Sequence, residues 1–481
     1  MAKANINGFA KKEDLAALYR HKDNAFFLGR IHPDHGVNIE AGIDDDRGLF
    51  VMSGTRSGKG RTLIINNLIM WGENAERGGG VFVIDPKGEN ASITAMRRGK
   101  KEYAKSTDTT VTKFIGQNVA ILDPYSIVKG AARIYRASYN PLSDIDIKGV
   151  EATGEILSIA ETLVISEEGS GKHFSDSAET ILAGIIEAVL VLETGENQTL
   201  PFCMKVMQKP YKETLNFLSR CKTSSGLALE ARSIMEIAGE EEYGSFRTTL
   251  SRQLRFMADV RVKEHLSHSD FSLVDAMREN WSIYVCVPPA LIGRVNRWLR
   301  MITRIAFDAR MSEGYNYQGQ QMLFVLDEFA QLGTQKILED SSSYVATYGI
   351  KLMPIIQNLG QVKKLYPNNW ETFLGNAVAI IAWGLNDLET EEYLSKRMGS
   401  VWEWDEGVSV GQSSSPNQPA SSSTNFSYGK KERAIRWPNE IHYQGAREYM
   451  RGFVISGKGA PFMIERLNYD ELFNKRYYDD V

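Results

Sequence analysis

The sequence lacks a long apolar run, a cysteine framework and a strong net charge. The stretch nearest to a membrane span is residues 183–192, AGIIEAVLVL, which falls well short of about 20 residues and is broken by Glu187. The opening MAKANINGFAKKEDL is mixed and polar, without the apolar centre of a secretion signal. Three cysteines, Cys203, Cys221 and Cys286, lie far apart and form no metal-spaced pair. They exclude a disulfide scaffold and are expected as buried structural thiols in a reducing compartment. With 56 basic and 60 acidic residues the net charge is −4, so a basic bulk composition is absent. Any surface for a polyanion must then be a local patch or the inner rim of an oligomer. The seven histidines (21, 32, 35, 173, 265, 268 and 442) make no metal set. His265 and His268 lie three apart with no second pair, and are expected to face solvent. What remains is a 481-residue chain, 43% hydrophobic and 24% charged, read as a soluble cytoplasmic protein with more than one subdomain.

The chain is organised around residues 49–67, LFVMSGTRSGKGRTLIINN. A short apolar strand runs into a glycine-rich turn, and a helix begins near Lys59, the context a phosphate-binding loop requires. Backbone N–H groups and a helix N-terminus there favour a polyphosphate, which Lys59 would reach. The candidate nucleotide-binding residues are Ser53, Gly54, Thr55, Arg56, Ser57, Gly58, Lys59, Gly60 and Arg61. Ser53 stands where the motif has its first glycine, and Gly60 where it has a Mg²⁺-binding hydroxyl. Thr62 is the nearest following hydroxyl, at the wrong spacing. A tight turn that merely needs glycine is the competing reading.

Unbroken apolar strands at 81–84 and 119–122, each followed by Asp-Pro, alternate with helical stretches and indicate a parallel sheet covered on both faces. Between about 150 and 260 the strand signal vanishes and helices are expected at 174–193, 213–220, 227–239 and 245–257. Strands resume at 282–287, 323–326, 351–356, 377–383, 452–456 and 461–465. The division expected is 1–154 for the first part of the nucleotide-binding domain, 155–265 for an inserted all-α domain, and 266–481 for the second part. Residues 409–431, rich in Ser, Asn, Gln and Pro, read as a flexible loop.

The second anchor is residues 322–329, MLFVLDEF, an apolar strand delivering two carboxylates at its end. Nucleotide hydrolysis needs one acid to hold Mg²⁺ and usually another to polarise water, and Asp327 and Glu328 suit those roles in that order. Gln357 ends the strand KLMPIIQ and would sense the γ-phosphate or orient water, with a helix cap or turn former as the equal alternative. Asp85, Lys87 and Glu89 either join the Mg²⁺ network or form a surface salt-bridge cluster. Arg247, Arg252 and Arg255 recur at helical spacing and face DNA, a neighbouring subunit, or simply solvent.

These stretches together resemble the coupling-protein ATPases of type IV secretion and bacterial conjugation. SGTRSGKG is similar to the family's phosphate loop, including the glycine after its lysine. VFVIDPKGEN at 81–90 resembles its second strand motif and FVLDEFAQLG at 324–333 its Walker B strand. YGIKLMPIIQNLGQVKKLY and LGNAVAIIAWGLNDLETEEYLSKRMG resemble its sensor region, with weaker similarity at Tyr139–Leu142 and in RAIRWPNEI. The resemblance implies a RecA-like P-loop α/β fold, a mainly parallel sheet with an inserted all-α domain, assembling as a homo-hexamer. It implies ATP and Mg²⁺ as cofactors, Lys59, Glu328 and Gln357 in catalysis, and Asp327 at the metal. The partners implied are secretion-channel components, relaxosome or adaptor proteins, and DNA, with peripheral association at the cytoplasmic face of the inner membrane. Typical members begin with two transmembrane helices, which this sequence does not show. Some carry an arginine finger on the helix after Walker B, whereas residues 335–346 contain no arginine. A free-standing cytoplasmic translocase or helicase of the same motor lineage, or a nucleotide-gated adaptor, are the alternatives.

Overall fold

The computed structural model describes residues 7–23, 25–73, 79–166, 169–312, 320–341, 345–415 and 418–480. Eleven strands form one sheet: β1 (Phe26–Ile31), β2 (Glu40–Ile43), β3 (Leu49–Ser53), β4 (Val81–Asp85), β5 (Val119–Leu122), β6 (Ser282–Cys286), β7 (Met322–Leu326), β8 (Ile350–Ile356) and β9 (Ala379–Trp383). Two strands of a separate ribbon, β10 (Ser400–Ser415) and β11 (Gln418–Ala434), precede β12 (Arg451–Ser456) and β13 (Gly459–Glu465), which return to the sheet. The spatial order is β2-β1-β13-β12-β9-β3-β8-β7-β4-β6-β5. From β9 to β5 every pairing is parallel, and from β9 outward to β2 every pairing is antiparallel. The fold is the expected RecA-like α/β architecture, with an antiparallel wing that pattern alone did not place.

The parallel strands are apolar on both faces because both faces are covered. Phe50, Met52, Phe82, Ile84, Ile283 and Val285 point into one core, while Leu49, Val51, Val81, Val83 and Tyr284 point into another. The first core is filled by Lys172–Leu192, Leu227–Gln253 and Ile292–Met311, and the second by the helices at Ile65–Met70 and Glu89–Arg98. Between β5 and β6 the described chain has helices and turns but no strand, from Ala152–Leu163 to Leu273–Arg278. Helix Leu227–Gln253 is broken at Gly239, where φ is 70° and ψ −177°, as the two shorter helices expected there anticipate. Glu187 is buried because its carboxylate accepts from Thr223 Oγ1 and Ala228 N, each at 2.8 Å, and from Ser225 Oγ. Among the described residues no helix is long and apolar enough to cross a membrane.

Two expectations are corrected. Residues 409–431 are not an irregular loop: β10 and β11 pair antiparallel from Ser400↔Ala434 to Ser415↔Gln418, with residues 416–417 outside the description. Main-chain pairing needs no apolar alternation, so a serine-rich sequence conceals it. Trp402 and Trp404, two apart and so on one face of the ribbon, are 68% and 70% exposed, and Lys430 Nζ lies 5.2 Å over the Trp404 ring. His265 does not face solvent: it is buried edge-on to Trp298 at 5.4 Å, and burial pushes its pKa down to about 4. His268 is exposed as expected.

Candidate nucleotide site

β3 and β7 end side by side with only β8 between them, so the phosphate loop, the Asp327–Glu328 pair and Gln357 converge at one end of the sheet. Lys59 Nζ lies 2.8 Å from Asp327 Oδ1 and 2.8 Å from Glu328 Oε1. Burial works against its charge, but the two carboxylates outweigh it and hold the Lys59 pKa above the ordinary lysine value. Gln357 Nε2 donates to Glu328 Oε2 at 3.0 Å, and Thr55 Oγ1 donates to Gln357 Oε1 at 3.0 Å. The two readings of the KLMPIIQN turn are thus divided between neighbours. Gln357 enters the site, while Asn358 caps helix Leu359–Leu365 by accepting from Gln361 N at 3.1 Å. Glu328 adopts a left-handed backbone, φ 57° and ψ 43°, a conformation uncommon for a side chain of its size.

The loop itself is held from below. Ser53 Oγ and Ser57 Oγ share a hydrogen bond of 2.5 Å across the turn, so both hydroxyls are internal ties. A Cβ on Gly54 would meet the Gly384 carbonyl at 2.0 Å, which only glycine avoids. Gly58 has φ 89°, the positive value a phosphate loop of this kind requires. Thr55 and Arg56 are exposed at the loop's tip. Arg61 turns aside to Asp470 at 2.6 Å and lies 5.0 Å over Tyr469. It borders a cleft of about 420 Å³ with Gly58, Arg447 and Asn468.

Sequence reasoning missed two residues here. Arg466, after β13, donates to Ser57 O at 2.6 Å, and Trp383 Nε1, ending β9, donates to the same oxygen at 3.2 Å. Burial, and then Arg447, lower the Arg466 pKa to about 10. Asp85 lies near Asp327, whose charge acts on it. It is buried, accepts from Ala91 N at 2.8 Å at the start of helix Glu89–Arg98, and is not part of a surface salt-bridge cluster. Lys87 and Glu89 are exposed. Arg247 and Arg252 lie on helix Leu227–Gln253, and Arg255 in the turn that follows it.

The residues fit a nucleotide polyphosphate with a divalent cation. Gly60 has no atom within 4 Å of where a Cβ would stand, so main chain is open to an incoming phosphate beside Lys59. Thr62 Oγ1 donates back to Gly58 O at 3.0 Å, while Asp327 Oδ1, 2.8 Å from Lys59 Nζ, presents a carboxylate at the strand end beside the loop.

The family model for type IV secretory system conjugative DNA transfer matches residues 8–469. The chain belongs to that family. The conjugal transfer protein TraG of Escherichia coli is 28% identical over 408 residues, covering 80% of this chain and 58% of TraG. Protein VirD4 of Agrobacterium fabrum is 28% identical over 358 residues, covering 73% of this chain and 49% of VirD4. The chain therefore spans about half to three-fifths of the length of these relatives. The unbound bacterial conjugative coupling protein TrwBdeltaN70 has the same fold, with a TM-score of 0.66 at 13% identity over 95% of this chain and 92% of that one. TrwB in complex with ADP and Mg²⁺ gives 0.65 at 12% identity over 98% and 96%.

Proposed function

We propose that this chain is an ATP-hydrolysing coupling protein, recruiting DNA–protein or protein substrates and driving them to a type IV secretion or conjugation channel. The observation that carries the reading is the Lys59–Asp327–Glu328–Gln357 constellation at the strand ends of a chain in this family. TrwB has been solved with ADP and Mg²⁺ and with a non-hydrolysable ATP analogue, which supports the same ligand here. When bound, Mg²⁺-ATP supplies the phosphoanhydride bond and the divalent charge that neutralises its oxygens. Lys59 presents a fixed positive charge to the β/γ-phosphates. Asp327 offers a carboxylate to the cation. Glu328 accepts a proton from the attacking water, and Gln357, itself held by Thr55, keeps that carboxylate oriented. The working form is a homo-hexamer that meets channel components and relaxosome or adaptor proteins at the cytoplasmic face of the inner membrane.

The test is steady-state ATPase activity with and without DNA. Lys59→Ala and Glu328→Gln should each lower turnover by about 10²-fold or more, with nucleotide binding retained in Glu328→Gln. Turnover unchanged by either substitution overturns the assignment. Substrate recruitment that survives both would favour a nucleotide-gated adaptor.

A further inference from the structure

The nucleotide site makes no use of the ribbon, although its 16-residue strand β10 is about 50 Å long. Among the described residues β10 and β11 pair only with each other. Each strand therefore has one edge of main-chain N–H and C=O groups with no neighbouring strand. Such edges template the pairing of a further strand, and proteins usually blunt them with charge or proline. Here that guard is missing over most of the length. From Gly407 to Gly429 the sequence holds no charged residue, and Pro419 protects only the tip of β11. Strand alternation places Trp402, Trp404, Val408 and Val410 on one face with Phe426 and Tyr428. Serine, glycine and asparagine dominate the positions of the other face.

The charges at the ribbon's base select what pairs with these edges. Glu403 and Arg433 lie 3.6 Å apart, and Arg433 also reaches Glu440 at 3.2 Å, so both are engaged within the chain. Glu432 accepts from Ser400 Oγ. Beyond these, β10 carries Asp405 and Glu406, which stand opposite Gly429 and Tyr428, neither of them a cation. At the same height β11 carries Lys430, which rests on the Trp404 ring, and Lys431. One edge strand is thus acidic and the other basic. Two copies standing side by side can join like strands or unlike strands. Like strands set Asp405 and Glu406 beside themselves, and adjacent like charges destabilise a strand pair. Unlike strands set Glu406 near Lys430 of the next copy on one face, and Asp405 near its Lys431 on the other. A β10–β11 contact joins two different edges, so it repeats from copy to copy in one sense and closes into a ring.

We propose that this ribbon joins copies of the same chain edge to edge, β10 of one copy pairing antiparallel with β11 of the next. The main-chain edges supply the hydrogen bonds, and the carboxylate–lysine contacts decide which strands meet. Successive ribbons then merge their apolar faces into one side of a continuous sheet. The inference goes beyond the coupling-protein reading, because this pairing requires neither the nucleotide site nor hydrolysis.

The experiment is disulfide trapping between copies of the full chain. Val410→Cys protein is mixed in turn with Thr424→Cys, Phe426→Cys and Tyr428→Cys proteins, which sample three registers on one face, and gently oxidised. Wild type sets the background from Cys203, Cys221 and Cys286. The double variant Val410→Cys/Thr424→Cys, whose positions stand opposite each other in one ribbon, should link within a single chain. At least one mixture should give a two-chain product, holding one copy of each variant, well above the wild-type background. Adding Asp405→Asn/Glu406→Gln to the Val410→Cys partner should lower that product about fivefold, and raised salt should lower it as well. Binding of an ATP analogue should not change in any variant. A chain that stays monomeric, or three mixtures without mixed product, overturns the proposal. Products that join like positions overturn it too, because they mark a like-strand or inverted contact. Mixed product indifferent to Asp405 and Glu406 overturns the selection by charge, and failure of the double variant to link within one chain removes the ribbon on which the proposal stands.

Discussion

Asp85 carries the clearest consequence at the scale of one residue. Its carboxylate is buried, accepts from the start of a helix, and is pushed up to about 7 by burial, against the Ala91 N–H, with Asp327 adding to the rise. Its ordinary value is 3.8, so between about pH 4 and 7 the folded protein holds a proton that the unfolded chain has released. Stability therefore falls as pH rises through that window, by an amount on the order of a few kcal/mol. Asp85→Asn has no charge to bury. Thermal melts at pH 5 and pH 8 should show its midpoint gaining on wild type as pH rises. A difference independent of pH would mean that Asp85 is already ionised in the fold at pH 5. Sequence placed Asp85 at a strand end beside the site, because an apolar run before Asp-Pro is legible. Its role was not, since the partner is a main-chain N–H six residues on. His265 was misread for a related reason: Trp298, which covers it, belongs to another helix.

At the scale of elements, the parallel half of the sheet was legible and the antiparallel wing was not. Strands such as Val81–Asp85 and Met322–Leu326 are fully apolar because both faces are buried, and that pattern survives in the sequence. β12 and β13 could be recognised as strands, but their places between β9 and β1 depend on long-range pairing. That placement carries Arg466 under the phosphate loop, where its guanidinium donates to the carbonyls of Ser57, Arg451 and Arg447. Backbone partners leave no motif, so nothing in the sequence marked it. Arg466→Met should leave the Ser57 carbonyl with Trp383 as its remaining side-chain donor and loosen the loop. Affinity for an ATP analogue should fall about tenfold, with a lowered melting temperature, and Arg466→Lys should recover part of both. Unchanged affinity in a folded Arg466→Met protein would show that the loop keeps its shape without this tie.

At the scale of the whole molecule, the ribbon of β10 and β11 stands apart from the eleven-stranded sheet. It joins the body at its base, where Ile435 N donates to Gly399 O at 3.0 Å and Ser395 Oγ donates to Arg436 O at 2.6 Å. A two-stranded ribbon contributes little independent stability in water, and among the described residues Val401, at its base, packs against the core. Replacing residues 405–429 by a short turn, while keeping the Ser400↔Ala434 and Trp402↔Glu432 pairings, should therefore shift the melting temperature by no more than about 2 °C. Binding of an ATP analogue should stay at the wild-type level, because Lys59, Asp327 and Glu328 are held by β3, β7 and β8. A drop of ten degrees or a lost nucleotide site would mean that the ribbon packs into the body and helps to form it. The expected result would instead make the ribbon an appended arm, its exposed Trp402 and Trp404 free to be varied without disturbing the Lys59–Asp327–Glu328 site.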